Sequence, residues 1–141
     1  MAYTVKEHVV NNYERKDFEE GIHDVSISYA EERKTTWVDE KAKELLGLKE
    51  VNQISIAFKG DANESIWYNI NQKFNPEDLT LEYDSNRMNE ISIAIGIPLG
   101  TSFANITEWL EYIKGKRVNI NVTTYNDKLR VSGIKQTELP Y

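Results

Sequence analysis

Five short segments of the chain alternate apolar and polar side chains with a period of two, which restricts the fold to one built mainly from half-buried β-strands. The segments begin near residues 23, 53, 64, 117 and 128. The third segment shows the pattern most clearly, with one set of alternating residues expected inside (Ile66, Tyr68, Ile70) and the other outside (Trp67, Asn69, Asn71). Because successive strand side chains point to opposite faces, each strand should bury one face and expose the other.

Three other segments have the spacing of amphipathic helices. Between the third and fourth strands, Asp84 or Ser85 can cap one helix and Asn105 a second. The second helix carries the clearest apolar stripe, in which Trp109 is expected to be a core residue. After the first strand, Thr36 is predicted to cap an extra helix. The buried face predicted for that extra helix consists of Val38, Ala42, Leu45 and Leu46.

The predicted order is three strands, a helical connection and two strands, with the extra helix inserted after strand 1. This order is that of a five-stranded OB-type barrel, a mainly β fold with helices (α+β). An antiparallel α+β sandwich is the alternative topology. We expect residues 20–136 to form the OB-type domain, residues 1–19 an N-terminal arm or added element, and residues 137–141 a short solvated tail.

The side chains offer little chemistry beyond binding. The 141 residues include no Cys and two His, so the chain has no thiolate, and His8 and His23 lack metal-ligand spacing. Phosphate-binding loops and nucleophile motifs are likewise missing from the sequence. We therefore predict no enzymatic activity, no cofactor and no metal. The absence of a long apolar run and of a secretory signal predicts a cytoplasmic protein without membrane contact.

Charge is distributed unevenly along the chain. The net charge is −6, but residues 114–135 contain six basic residues and one acid, so this segment is net +5 and the remainder −11. A basic surface on an acidic protein is compatible with phosphate binding. The alternative is that these are solvated charges at strand edges.

The second half of the chain carries motifs in a familiar order. Residues 95–103 read IGIPLGTSF, a helix with Trp109 and Leu110 follows, and then come GKRVNINV at 115–122 and YNDKLRVSG at 125–133. Roughly residues 88–135 thus resemble the carboxy-terminal half of phage-encoded single-stranded DNA-binding proteins. The resemblance implies an OB fold, sequence-tolerant binding of single strands, and a role in phage DNA replication or recombination in the host cytoplasm. Replication or recombination proteins would then be possible partners, and exposed strand edges are compatible with a homodimer.

Binding of single strands requires aromatic faces on which bases stack and a basic groove that follows the backbone. Strand parity directs Trp67 and Lys73 outward on strand 3 and Lys59 outward on strand 2, the face that OB folds use. Trp37 and Lys34 lie near the loop after strand 1, and the last hairpin supplies further candidates. The predicted nucleic-acid-binding residues are Trp67, Lys59, Lys73, Trp37, Lys34, Arg117, Tyr125, Lys128 and Arg130.

Each assignment has an alternative. Trp67 could be covered by the extra helix or the arm, and Trp37 could be a hydrophobic staple for the helix that follows it. At the level of function, the alternative is a protein-binding module, such as a phage inhibitor of a host protein, and a virion component is a third option. Nucleic acid is favoured if Trp67, Lys59 and Lys73 share a face with Arg117 and Lys128, whereas an acidic character of that face favours the inhibitor.

Overall fold

The structure is a computed structural model that describes residues 2–5 and 16–137. Within these residues, six antiparallel strands form one curled half-barrel accompanied by three helices. The strands, in the sheet order β4-β3-β2-β1-β5-β6, and the helices are β1 (Gly21–Thr35), α1 (Glu40–Leu46), β2 (Val51–Lys59), β3 (Ser65–Asn75), β4 (Thr80–Tyr83), α2 (Ser85–Ala94), α3 (Ile106–Ile113), β5 (Arg117–Tyr125) and β6 (Lys128–Lys135).

The longest strand, β1, joins the two halves of the sheet. Its residues 21–26 pair with β5, and its residues 26–35 pair with β2. The register with β2 shifts between Ile27 and Tyr29, and such a bulge bends a strand and increases its twist. At this bend the N–H of Ile27 donates to the carbonyl of Lys116 at 2.9 Å. The bend curls the sheet so that β3 approaches β6, although three strands separate them in the sheet order.

The prediction of five strands was wrong, because β4 is a sixth. It has four residues and pairs only with the end of β3, so it is too short to show a period of two. The chain reaches it through a turn in which the side chain of Asn75 accepts the N–H of Glu77 at 3.0 Å and Leu79 adopts a positive φ of 55°. The residues typical of turns before β4 therefore make this short strand, between β3 and α2, read as part of a loop in the sequence.

The helices between β3 and β5 begin where the sequence predicts. The Asp84 carboxylate caps α2 by accepting the N–H of Asn86, and the Asn105 side chain caps α3 by accepting the N–H of Glu108. For α1 the predicted cap was wrong: Asp39, not Thr36, accepts the N–H groups of Lys41 and Ala42.

The predicted buried face of α1 was wrong in part. Val38 and Ala42 are buried, but Leu45 and Leu46 are exposed. The helix begins at Glu40 and is about two turns long, and Ala42 is its buried residue. A helix of about two turns buries only a small part of one face, whereas the predicted buried face extends into its last turn.

The core lies inside the half-barrel between the sheet and the last two helices. Trp109 is buried as predicted, and its Nε1 donates to Ser92 Oγ at 2.9 Å, which satisfies the indole N–H. Helix α3 packs against β1 and α2 against β6. The fully buried side chains come mainly from the inner faces of the strands (Val25, Ile27, Ile54, Ile56, Phe58, Ile70, Val118, Ile120, Val122).

The predicted N-terminal arm is described only in part. Phe18, within that arm, is buried and its ring lies 4.9 Å from the ring of His23. Most of residues 1–15 and residues 138–141 of the predicted tail lie outside the described residues. Among the helices that are described, none has the length and apolar character needed to cross a bilayer.

Candidate nucleic-acid interface

The outer face of β3 carries the residues that strand parity directs away from the core. Ile66, Tyr68 and Ile70 are buried, whereas Trp67 and Lys73 lie on the opposite face. Trp67 pairs with Ala57 of β2, and Ala57 pairs with Tyr29 of β1, so these three residues form one row across the sheet. Ala57 lies between two large side chains in this row, which explains why it is buried on the outer face.

Trp67 is held in place while half of its side chain, 49%, stays exposed. The ring of Tyr29 meets it edge-on with centroids 5.4 Å apart. The guanidinium of Arg33 lies 5.8 Å from the centroid of the indole. Such contacts fix the orientation of an aromatic ring and leave part of its surface available for a ligand.

A groove runs between β3 and the β5–β6 hairpin, along the open side of the half-barrel. Its cavity measures about 420 Å³. We call it the hairpin groove, and it is lined by Trp67, Tyr68, Asn69, Arg87, Tyr125, Asn126, Lys128, Arg130 and Val131. Of these lining residues, all within the described part of the chain, three are basic and none is acidic. The groove therefore combines exposed aromatic rings with positive charge.

The hairpin that borders this groove has a two-residue turn. Asn126 and Asp127 have φ values of 50° and 62°, and two positive φ angles in succession are what a type I′ turn requires. The turn brings Tyr125 opposite Lys128 in the ladder. Tyr125 is 61% exposed, and the guanidinium of Arg130 lies 5.1 Å from its ring centroid. Three predicted residues, Tyr125, Lys128 and Arg130, are thereby brought together with Trp67.

Arg87 lines the same groove and was not predicted. Its guanidinium lies 5.5 Å from the ring centroid of Tyr68, and its Nη1 donates to the carbonyl of Asn69 at 3.5 Å. It occupies the first turn of α2, where the helix dipole disfavours a cation. In the sequence, Arg87 lies three positions after the predicted cap Asp84, and this position in the first helical turn was the signal that could have identified it.

A second cavity adjoins the start of α2. We call it the Trp37 pocket, and it is lined by Trp37, Asp39, Asn71, Gln72, Lys73, Phe74, Asp84 and Arg87. Trp37 is 62% exposed in the connection between β1 and β2. Lys73 is therefore placed beside Trp37, six residues along β3 from Trp67. Lys34 is exposed on β1 opposite Asn52 and lines neither cavity.

Two predicted residues lie at the other end of the sheet. Ser26 of β1 pairs with Lys59 of β2 on one side and with Arg117 of β5 on the other. The guanidinium of Arg117 lies 3.3 Å from the carboxylate of Asp24 and 3.8 Å from that of Asp61. Arg117 is also eight residues from Tyr125 along β5, about 26 Å at about 3.3 Å per residue. The structure does not bring Arg117 into the hairpin groove.

The groove contains a neutral phenol and no metal-binding cluster. Burial raises the pKa of Tyr68; the nearby charge of Arg87 opposes that shift in part, and the carboxylates of Glu90 and Asp84 add to it. Across the described residues, no group of three or more His, Asp or Glu side chains is arranged to hold a metal ion. The arrangement is suited to binding through ring stacking and positive charge.

Comparison with known proteins gives a family and no function. None of the curated proteins matches this chain. A family model described as "Protein of unknown function (DUF669)" matches residues 4–138, a range that includes the six strands and three helices of the described residues and both cavities. The chain therefore belongs to the DUF669 family.

Proposed function

We propose that this protein binds single-stranded DNA with little sequence preference along the hairpin groove. The observation that carries the proposal is the groove lining, in which Trp67 and Tyr125 are exposed beside Arg87, Lys128 and Arg130. Stacking on an aromatic ring contributes about 1–3 kcal/mol per base and tolerates any base, because every base has a π-face. Arginine and lysine beside the rings supply the contacts to phosphate.

The strand order also supports our proposal that the half-barrel is an OB-type barrel. In OB folds, oligomers bind on the face of strands 2 and 3, between the loop joining strands 1 and 2 and the loop joining the last two strands. Here the corresponding loops carry Trp37 and the Asn126–Asp127 turn, and Trp67 lies between them on β3. On this proposal β4 is an addition at the edge of the sheet.

The charge of the groove separates this proposal from the alternative of a protein-binding inhibitor. An inhibitor that imitates nucleic acid needs an acidic face. The groove brings Lys128 to Trp67 and adds Arg87 and Arg130, and the one acid lining the cavity that adjoins it is Glu90, so that basic side chains outnumber acidic ones among these described residues, although Lys59 and Arg117 lie elsewhere. The resemblance of residues 88–135 to phage single-stranded DNA-binding proteins supports the further proposal of a role in phage DNA replication or recombination.

The proposal is tested by titrating the protein into a fluorescein-labelled oligo-dT of roughly 20 nucleotides, longer than the about 4–16 nucleotides that one OB fold covers. Fluorescence anisotropy reports binding, and Trp fluorescence reports stacking. We expect binding that quenches Trp fluorescence, weakens with salt and is lost for duplex DNA of equal length. Replacement of Trp67→Ala should weaken binding at least about tenfold, since one stacked base is removed.

Tyr112→Ala is the matched control for Trp67→Ala. Tyr112 is 46% exposed, contacts the ring of Phe103 and has the Lys116 ammonium 4.8 Å from its centroid, but it lies on α3 and lines neither cavity. Its removal should leave the affinity unchanged. The absence of binding at micromolar protein in low salt, or an equal loss in both variants, would contradict the proposal.

A further inference from the structure

Arg87 belongs to both cavities, and this makes them parts of one surface. It lines the hairpin groove together with Trp67 and the Trp37 pocket together with Lys73. Its backbone is fixed in the first turn of α2, and its side chain spans from Asn69 on β3 to Asp84 at the helix cap. A chain-like ligand that leaves the hairpin groove over Arg87 therefore enters the Trp37 pocket directly.

Like the hairpin groove, the Trp37 pocket places an exposed aromatic ring beside basic side chains. It has one exposed aromatic ring, that of Trp37, and two cations, Lys73 and Arg87. Asn71 and Gln72 of β3 add polar side chains between these groups. Lys73, which lines it, lies six residues from Trp67 along β3, about 20 Å at about 3.3 Å per residue. The two cavities could therefore hold different nucleotides of the same strand.

The Trp37 pocket differs from the groove in one respect, because two carboxylates line it. Asp39 is engaged as the cap of α1. The Oδ2 of Asp84 lies 3.4 Å from Lys73 Nζ and 3.7 Å from Arg87 Nε, while its Oδ1 caps α2. Lys73 and Arg87 thus share one oxygen of a carboxylate, which is the arrangement they would offer to an oxygen of a phosphate group.

We propose that the Trp37 pocket is a second subsite for the same single strand, and that the Asp84 carboxylate occupies in the free protein the place that a phosphate takes in the complex. The inference rests on the proposed function. Strands that reach both cavities exchange the Asp84 contacts of Lys73 and Arg87 for phosphate contacts. Strands confined to the hairpin groove contact Arg87 through its Nη atoms, so that Arg87 Nε and Lys73 Nζ stay on Asp84. Asp84 therefore weakens the binding of long strands and has little effect on short ones.

The test compares oligo-dT of roughly 5 and roughly 15 nucleotides, near the two ends of the range of about 4–16 nucleotides per OB fold. Asp84→Asn removes the charge and keeps the cap, because Asn and Asp cap helices equally well. We expect it to tighten binding of the long oligomer at least about threefold, by removing like-charge repulsion of the phosphate. Trp37→Ala should weaken the long oligomer at least about fivefold, the loss of one stacked base.

Lys73→Gln serves as the opposite change to Asp84→Asn. It removes one phosphate contact, so it should weaken the long oligomer and reduce its salt dependence by about 0.7 in the slope of log K against log salt. None of the three variants should change binding of the short oligomer by more than about twofold. A gain in affinity from Asp84→Asn cannot be produced by partial unfolding, and thermal unfolding of each variant checks the two losses.

The outcomes separate the second subsite from the proposed function. Effects restricted to the long oligomer support the subsite. If both oligomers bind and Trp67→Ala weakens both, but the three variants leave the long oligomer unchanged, the second subsite is refuted and the hairpin groove stands. If neither oligomer binds the wild-type protein, the proposed function fails, and the subsite fails with it.

Discussion

Three aromatic side chains of the hairpin groove each have an arginine beside the ring. The distances from guanidinium to ring centroid are 5.8 Å at Trp67, 5.5 Å at Tyr68 and 5.1 Å at Tyr125. An arginine in such a position steadies the ring and can still direct its remaining N–H groups to phosphate. At the scale of single residues, the candidate site is therefore a set of paired rings and cations.

The turn residue Asp127 supports one of these pairs through its backbone conformation. Its φ of 62° is costly for a residue with a Cβ, although Asp tolerates it better than Ala does. We expect Asp127→Ala to lower the free energy of unfolding by about 1 kcal/mol. Asp127→Gly should not lower it, because Gly adopts positive φ without strain. Urea unfolding of the two variants measures the difference, and equal midpoints would contradict the turn geometry.

At the scale of elements, the residue before α2, Asp84, has two roles. Asp84 caps the helix and forms ion pairs with Lys73 and Arg87, and its side chain is 17% exposed. Burial acts to raise the pKa of Asp84, but the hydrogen bond from Lys73 and those from the backbone of the first turn outweigh it, so the pKa lies below its usual value. The native state thus favours the ionised form of this carboxylate.

This lowered pKa predicts how stability depends on pH. A carboxylate whose pKa is lower in the folded state contributes stability above its unfolded pKa, about 3.9 for Asp, and loses it as the pH falls through the folded value. We expect the wild-type protein to lose stability below about pH 4 more steeply than the Asp84→Asn variant, which keeps the cap. Thermal melting from pH 7 to pH 3 measures this, and parallel curves would contradict the ion pairs.

At the scale of the whole molecule, a net charge of −6 coexists with a basic groove. The acid-rich remainder repels a polyanion at long range, but counterion release depends on the cations that touch phosphate. For a strand confined to the hairpin groove, binding by Arg87, Lys128 and Arg130 therefore predicts a log K against log salt slope of about −2, at about −0.7 for each contact with a single strand. A much steeper slope would mean that cations outside the groove take part.

Arg130→Ala and Lys116→Ala form a matched pair for that prediction. Each removes one cation that lies over a tyrosine ring, but Lys116 directly precedes β5, nine residues before Tyr125 and about 30 Å away at about 3.3 Å per residue. We expect Arg130→Ala to weaken binding and reduce the slope by about 0.7, and Lys116→Ala to leave the slope unchanged. Equal slopes for the two variants would show that net charge and not the groove controls binding.

Local patterns were sufficient for most elements and for the direction of most side chains. The period of two identified five strands and directed Trp67 away from the core, and the spacing of caps and apolar residues identified α2 and α3. These features depend on neighbours within a few positions, so the sequence reports them directly. β4 was missed because a four-residue strand is too short to show a period. The cap of α1 was misplaced because a helix of about two turns has too few residues for its period to fix where it begins.

The composition of the candidate site was decided by the tertiary structure. Trp67, Arg87 and Tyr125 come from three elements and line one groove because the sheet, with bulges in the β1–β2 and β5–β6 pairs, curls until β3 approaches β6. The same geometry leaves Arg117 at the far end of β5 beside Asp24, although it lies in the same basic segment as Lys128. A sequence pattern states which side chains face away from the core, whereas bending and long-range pairing of strands determine which of them share a groove.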